Sequence, residues 1–136
     1  MHDIHSVSLI LCHENVNVNL QNINGYTPFS FACLYDVDQV VWMLIQDARV
    51  DVNLENQYGC SPLFLACANE FTNVVRIILS YGRWLNVNAK DITGITALQV
   101  SKKIDAIDIV NLIEEYHINP TEMQKKFRRD FQLKGI

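Results

Sequence analysis

Four cysteines, four histidines and two tryptophans are the side chains of this 136-residue sequence with the most chemistry to offer. A thiol attacks as its thiolate, and it needs a base or a positive neighbour to form one. Cys60 stands in Gly59-Cys60-Ser61, which lacks the G-x-S-x-G spacing of a nucleophile elbow, and no His or carboxylate is placed by sequence to activate it. Its position in a turn makes it an exposed thiol of no assigned chemistry. His2, His5, Cys12 and His13 are the residues a metal could gather. The two histidines fall at i, i+3 near the terminus, however, and Cys12-His13 lies at the far end of the same segment. No C-x-x-C pair occurs, so zinc-ligand spacing is missing. The glycines are isolated and form no phosphate-cradling loop. The expectation is therefore no catalytic residue, no metal, no cofactor and no enzyme activity.

The composition excludes other classes. With 49% hydrophobic and 19% charged residues, the chain can fold and is not a disordered tail. Its longest apolar run, Val40 to Ile45, is too short to span a bilayer. Asp3, with no Lys or Arg before the first apolar stretch, argues against a signal peptide. A net charge of −4 argues against general nucleic-acid binding.

The elements that must position these side chains come from internal repetition. Gly25, Gly59 and Gly94 are spaced by 34 and 35 residues, and the text around them recurs. Val18-Asn19-Leu20 matches Val52-Asn53-Leu54 and Val87-Asn88-Ala89; Thr27-Pro28-Phe29 matches Ser61-Pro62-Leu63 and Thr96-Ala97-Leu98. Fifteen residues after each Gly comes Val40-Val41, Val74-Val75 or Ile109-Val110. Thr27, Ser61 and Thr96 can accept from the free N–H groups of a helix start, and Pro28 and Pro62 suit the first helical position. Phe29, Ala32 and Cys33 share one helical face, as do Leu63, Ala66 and Cys67. Equivalent places in two copies read Cys33 and Cys67 as small buried core residues rather than a disulfide framework. Reduced cysteines and an intracellular, cytoplasmic location follow. After a break at Asp36-Val37 or Glu70-Phe71, second helices are expected at about residues 38–46, 72–80 and 107–115. The glycines permit the φ > 0 turn of a hairpin-like loop between copies. Each unit is turn, helix, helix, and buries its apolar faces only by stacking.

Residues 3–12 match the second helix of a copy whose first helix is missing. The sequence alone leaves open whether the natural chain begins there or is cut from a longer array. Residues 119–131 form a further amphipathic segment. Thr121-x-x-Gln124 reads as a capping box, and Met123, Phe127 and Phe131 fall on one face that would cover the last repeat. Residues 119–136 carry +3 and the preceding residues −7. A basic amphipathic helix could also meet a membrane or an acidic partner, but a capping helix is the preferred reading.

The pattern Asn22-x-x-Gly25-x-Thr27-Pro28-Phe29-x-x-Ala32-Cys33, with its copies from Asn56 and Asp91, resembles the ankyrin repeat family. The resemblance implies an all-α solenoid of helix-turn-helix units joined by hairpin-like loops, with a half-repeat at the N-terminus and a C-terminal capping helix. The array would occupy residues 1–118: a partial repeat 1–16, then repeats of about 17–50, 51–85 and 86–118, with the capping helix at 119–136. The sequence departs from the family at Asp36-Val37, Glu70-Phe71 and Asp105-Ala106, where Gly-His is usual. It departs again at Ser30, Phe64 and Gln99, where the family's His would stand. Ser101-Lys102 replaces Ala-Ala in the last repeat, giving the polar outer face of a terminal unit.

The resemblance implies a non-enzymatic interaction module, a scaffold or adaptor. It would be monomeric and bind a protein partner in a concave groove of turn tips and first helices. Carried over residue by residue, the partner-binding positions are Asn24, Tyr26, Leu34 and Tyr35 in the first copy, Gln57, Tyr58 and Asn69 in the second, and Ile92, Thr93 and Ile95 in the third. The alternatives are an inhibitor of an enzyme such as a kinase, using the same groove, and a structural fragment of a longer array. Trp42 stands where the family usually carries a charge on the outer face, and is either part-buried or an apolar convex spot. Trp84, in Arg83-Trp84-Leu85, either packs back or stands as a surface anchor.

Overall fold

The computed structural model describes residues 9–133. Among the described residues, residues 9–11 are helical and seven helices follow: α1 (Pro28–Leu34), α2 (Asp38–Gln46), α3 (Pro62–Ala68), α4 (Thr72–Tyr81), α5 (Ala97–Lys103), α6 (Ile107–Ile118) and α7 (Pro120–Leu133). Residues 3–8 of the expected half-repeat helix, and His2 and His5, lie outside the described residues.

Each first helix begins as its sequence dictates. Thr27, Ser61 and Thr96 accept at their side-chain oxygens from the N–H of Ser30, Phe64 and Gln99. Ser30 and Gln99 reach back to the cap's own N–H and close a full capping box. Phe64 cannot, so the middle helix is capped one way only. The replacements for the family's His thus serve the helix start in two of the three copies.

The first helices α1, α3 and α5 stack in one row, and the second helices α2, α4 and α6 in another. The core runs between the rows: Phe29, Cys33, Val41, Leu63, Cys67, Val74, Val75, Ile78, Leu79, Ile109 and Ile113 are all buried. Burial pushes the Cys33 thiol well above its usual range, and pushes Cys67 up to about 12, against a partial pull from the Ser101 hydroxyl. No disulfide joins the four cysteines, of which Cys12 is exposed and Cys60 half-buried.

At the breaks between paired helices, Asp36, Glu70 and Asp105 take φ of 57°, 56° and 62°. This left-handed turn is the one the family's Gly makes without steric cost, and here three acidic residues make it instead.

Loops between repeats protrude as fingers, and backbone hydrogen bonds tie them together. The Gln57 N–H donates to the Asn24 carbonyl at 2.9 Å, and the Ile92 N–H to the Tyr58 carbonyl at 3.0 Å. Recurring asparagines staple the loops below. Asn19 donates to the Arg49 carbonyl and accepts from the Asp51 N–H, both at 2.8 Å; Asn53 treats Trp84 and Asn86 in the same way. Asn88, the third of the series, lies 3.0 Å from His117 of α6.

The last repeat differs at its outer face. Lys102 and Glu114 occupy the positions of Cys67 and Leu79 in the repeat before, and their charged groups lie 3.3 Å apart. An internal interface is apolar at these positions; here the outer face carries an ion pair.

Helix α7 departs from the sequence reading in two respects. Its start is capped by Asn119, whose side-chain oxygen accepts from the Glu122 N–H, with Pro120 as the first helical residue. The expected Thr121–Gln124 capping box does not form, because Gln124 donates instead to the Leu79 carbonyl at 3.1 Å. Met123, Phe127 and Phe131 are buried, as their spacing requires. They were expected to lie over the last repeat, yet the helix also reaches back across α4 of the middle repeat. Arg128 donates to the Ser80 carbonyl at 2.9 Å and sits over the Tyr81 ring; Arg76 lies over the Phe127 ring, and Tyr81 meets Phe131. The carbonyls of Leu79 and Ser80 belong to the last turn of α4, which has no intrahelical partners for them. A cation there also complements the helix dipole. The Lys126 ammonium, 3.9 Å from Glu115, adds a contact to α6.

Candidate functional site: the finger and first-helix face

The fingers owe their shape to one side chain in each turn. The Asn22 carboxamide oxygen accepts from the N–H groups of Asn24 and Tyr26, Asn56 from Tyr58 and Cys60, and the Asp91 carboxylate from Thr93 and Ile95. The Thr93 hydroxyl and these N–H groups hold the Asp91 carboxyl below its usual range. With the turn satisfied internally, the side chains at the tips are left over.

The structure places the ten expected residues on this face with differing freedom. Asn24, Tyr35, Gln57, Tyr58, Asn69, Ile92 and Thr93 are exposed; Tyr26, Leu34 and Ile95 are half-buried. Two are partly committed elsewhere: the Asn69 amide donates to the Leu65 carbonyl at 2.8 Å, and the Thr93 hydroxyl to Asp91 at 2.6 Å. Tyr58 is 53% exposed. Ile23, beside Asn24, is almost wholly exposed.

Tyr26 and Tyr35 are brought together by a residue the sequence reading omits. Phe31 stacks on Tyr26 with ring centroids 5.0 Å apart and on Tyr35 at 6.0 Å. The three rings form a ladder from the finger along α1 to its C-terminal end. Phe31 is 37% exposed and Tyr35 62%. The signal was present as the i, i+4 spacing of Phe31 and Tyr35, which places two rings on one strip of helix. In the middle repeat the ladder positions are Cys60, Leu65 and Asn69, so the feature belongs to the first repeat alone.

Of the remaining candidates, Cys60 gains no activation. Burial, with the charges of Asp91 and Glu55, raises its thiol above the usual range, the opposite of what a nucleophile needs. Among the described residues no three His, Cys, Asp or Glu side chains gather to hold a metal. Trp42 is half-buried against the core, with its ring N–H buried and unpartnered among the described residues. Trp84 is 93% exposed, at a φ of 57° that bulky residues rarely adopt. No described helix is long and apolar enough to cross a membrane.

No curated protein matches the chain. The family model for ankyrin repeats matches it in three copies, over residues 2–91 and 38–124. These spans contain the capped first helices, the stacked second helices and the hydrogen-bonded fingers described above. The chain belongs to the ankyrin repeat family, whose repeats are generally modules for protein–protein interaction.

Proposed function

We propose that this chain is a non-enzymatic adaptor that binds a protein partner on the face built from its fingers and first helices. The observation that carries the reading is the Tyr26–Phe31–Tyr35 ladder, three stacked rings on the finger and first-helix face with Phe31 and Tyr35 exposed and Tyr26 half-buried. Aromatic side chains offer large contact area at low entropy cost and dominate binding hot spots. The backbone groups around them are already satisfied by the finger ladder, so a partner meets a preformed surface. A monomer suffices, because the whole face lies within one chain. The unpaired cysteines support an intracellular, cytoplasmic setting.

The test is to isolate a physiological partner by affinity capture and titrate it against variants of checked fold. Replacing Tyr26 and Tyr58 together by Ala should weaken binding by about thirtyfold, the effect of losing roughly 2 kcal/mol of hot-spot contact. Trp42→Ala, on the other helix row, should leave affinity within about twofold once the fold is checked. If the Trp42 change abolishes binding and the tyrosine changes do not, the site lies on the second-helix side.

A further inference from the structure

The aromatic ladder ends among charges of one sign. Residues 1–75 contain eight carboxylates and a single Lys or Arg, Arg49. That one cation is engaged elsewhere: it contacts Asp47 at 2.6 Å and donates to the carbonyls of Leu11 and His13. The basic residues of α7 contact the second-helix row, with Arg128 at the end of α4 and Lys126 near Glu115. Up to residue 75, and so before Arg76 of α4 and Arg83 of the loop after it, the fingers and first helices therefore present carboxylates and, among the described residues, no cation but the engaged Arg49.

Tyr35, the last ring of the ladder, is followed directly by Asp36, and Glu70 holds the equivalent place one repeat on. Both are exposed, and neither has a cationic partner within 4 Å among the described residues. We propose that the segment docking on this ladder is basic, laying arginine side chains on the rings of Tyr26, Phe31 and Tyr35 with their charges toward Asp36 and Glu70. This rests on the reading of the face as a docking surface and names the chemistry of its occupant.

Two observations support the assignment. A guanidinium lies flat on an aromatic face and is weakly hydrated, so stacked rings leading to carboxylates suit both halves of an arginine side chain. The chain uses the same chemistry internally, with Arg128 over Tyr81 and Arg76 over Phe127. The Asp36 carboxyl is also raised above its usual range, first by the desolvation its neighbours impose and then by the nearby charge of Asp38, as for an acidic pair without a counter-ion. An acidic surface additionally speeds the encounter with a basic partner and makes it sensitive to salt.

The test uses the full chain and three synthetic six-residue peptides, in which leucine alternates with arginine, with its neutral isostere citrulline, or with glutamate. Ring resonances of Tyr26, Phe31 and Tyr35 are followed by NMR during titration. The arginine peptide should move them, and the citrulline peptide should bind at least about tenfold more weakly. Asp36→Asn with Glu70→Gln should reduce arginine-peptide affinity about tenfold, the sum of two exposed charge contacts. Asp51→Asn with Asp108→Asn, an equal charge change away from the ladder, should alter it less than about twofold. Equal losses in the two variants would show diffuse attraction and overturn the proposal. Ring shifts as strong with citrulline as with arginine would overturn the charge assignment and leave the docking face intact. No ring shift with any peptide would count against both. Self-association, seen by sedimentation and placing Lys125 to Arg129 of a second copy on the ladder, would overturn a separate partner.

Discussion

Asp91 and its counterparts Asn22 and Asn56 perform one task with two chemistries. Each side-chain oxygen accepts the two N–H groups that close a finger, but only the third turn does so with a titratable group. Its carboxyl is held below the usual range, chiefly by the Thr93 hydroxyl and then by the Ile95 N–H. A depressed carboxylate contributes stability above its unfolded pKa, near 3.9, and that stability is lost as pH falls through the lower folded value. Asp91→Asn should melt close to the parent at pH 7 and lose less on acidification below about pH 4; thermal melts from pH 7 to pH 2.5 measure it. A variant whose melting temperature falls with pH as steeply as the parent's would remove Asp91 as a source of acid sensitivity. Comparison of copies reveals such substitutions directly. It does not reveal Phe31, because its counterparts Leu65 and Val100 are apolar too, and a matching apolar column reads as core whether or not the structure covers it.

At the scale of elements, the fingers were legible and the reach of α7 was not. Three copies of a short text define turn, cap and helix, since each depends on residues within a few positions of one another. Amphipathic spacing in α7 specifies which face is buried, and nothing in it says against what. Gln124 makes the point: the local pattern offers it to Thr121, and the fold takes it to Leu79. Finger glycines illustrate the reverse case, where one conserved-looking letter covers two physical demands. All three have φ above +70°, but a Cβ on Gly25 would come within 2.9 Å of the Asn56 backbone and one on Gly59 within 3.0 Å of Ile92, whereas Gly94 has open space. Gly94→Ala should cost about 1–2 kcal/mol for the left-handed turn alone. Gly25→Ala and Gly59→Ala should cost roughly 1–3 kcal/mol more, because neighbouring fingers must separate. Chemical denaturation of the three variants gives the order, and an equal loss at all three would show that the finger ladder yields freely.

For the whole molecule, α7 couples the middle and last repeats through contacts that nearest-neighbour stacking does not supply. Phe127→Ala removes a buried ring from between α7 and α4, and should destabilise the chain by about 3 kcal/mol. That lowers the melting temperature by on the order of 10 °C for a chain of this size. Calorimetry measures it, and a drop of only a degree or two would mean that the Phe127 ring contributes little to holding α7.

The ion pair on the outer face of the last repeat bears on how such a chain can change length. A duplicate of the middle repeat offers a neighbour the apolar Cys67 and Leu79 on one side and accepts the like on the other, so genetic insertion inside the array preserves every interface. A unit stacked on the outer face of the last repeat would instead have to strip water from Lys102 and Glu114 and bury them, which is unfavourable unless both charges are replaced. Lineages descending from this sequence should therefore lengthen by duplication from within, and carry the Lys102–Glu114 pair outward at the end of each longer array.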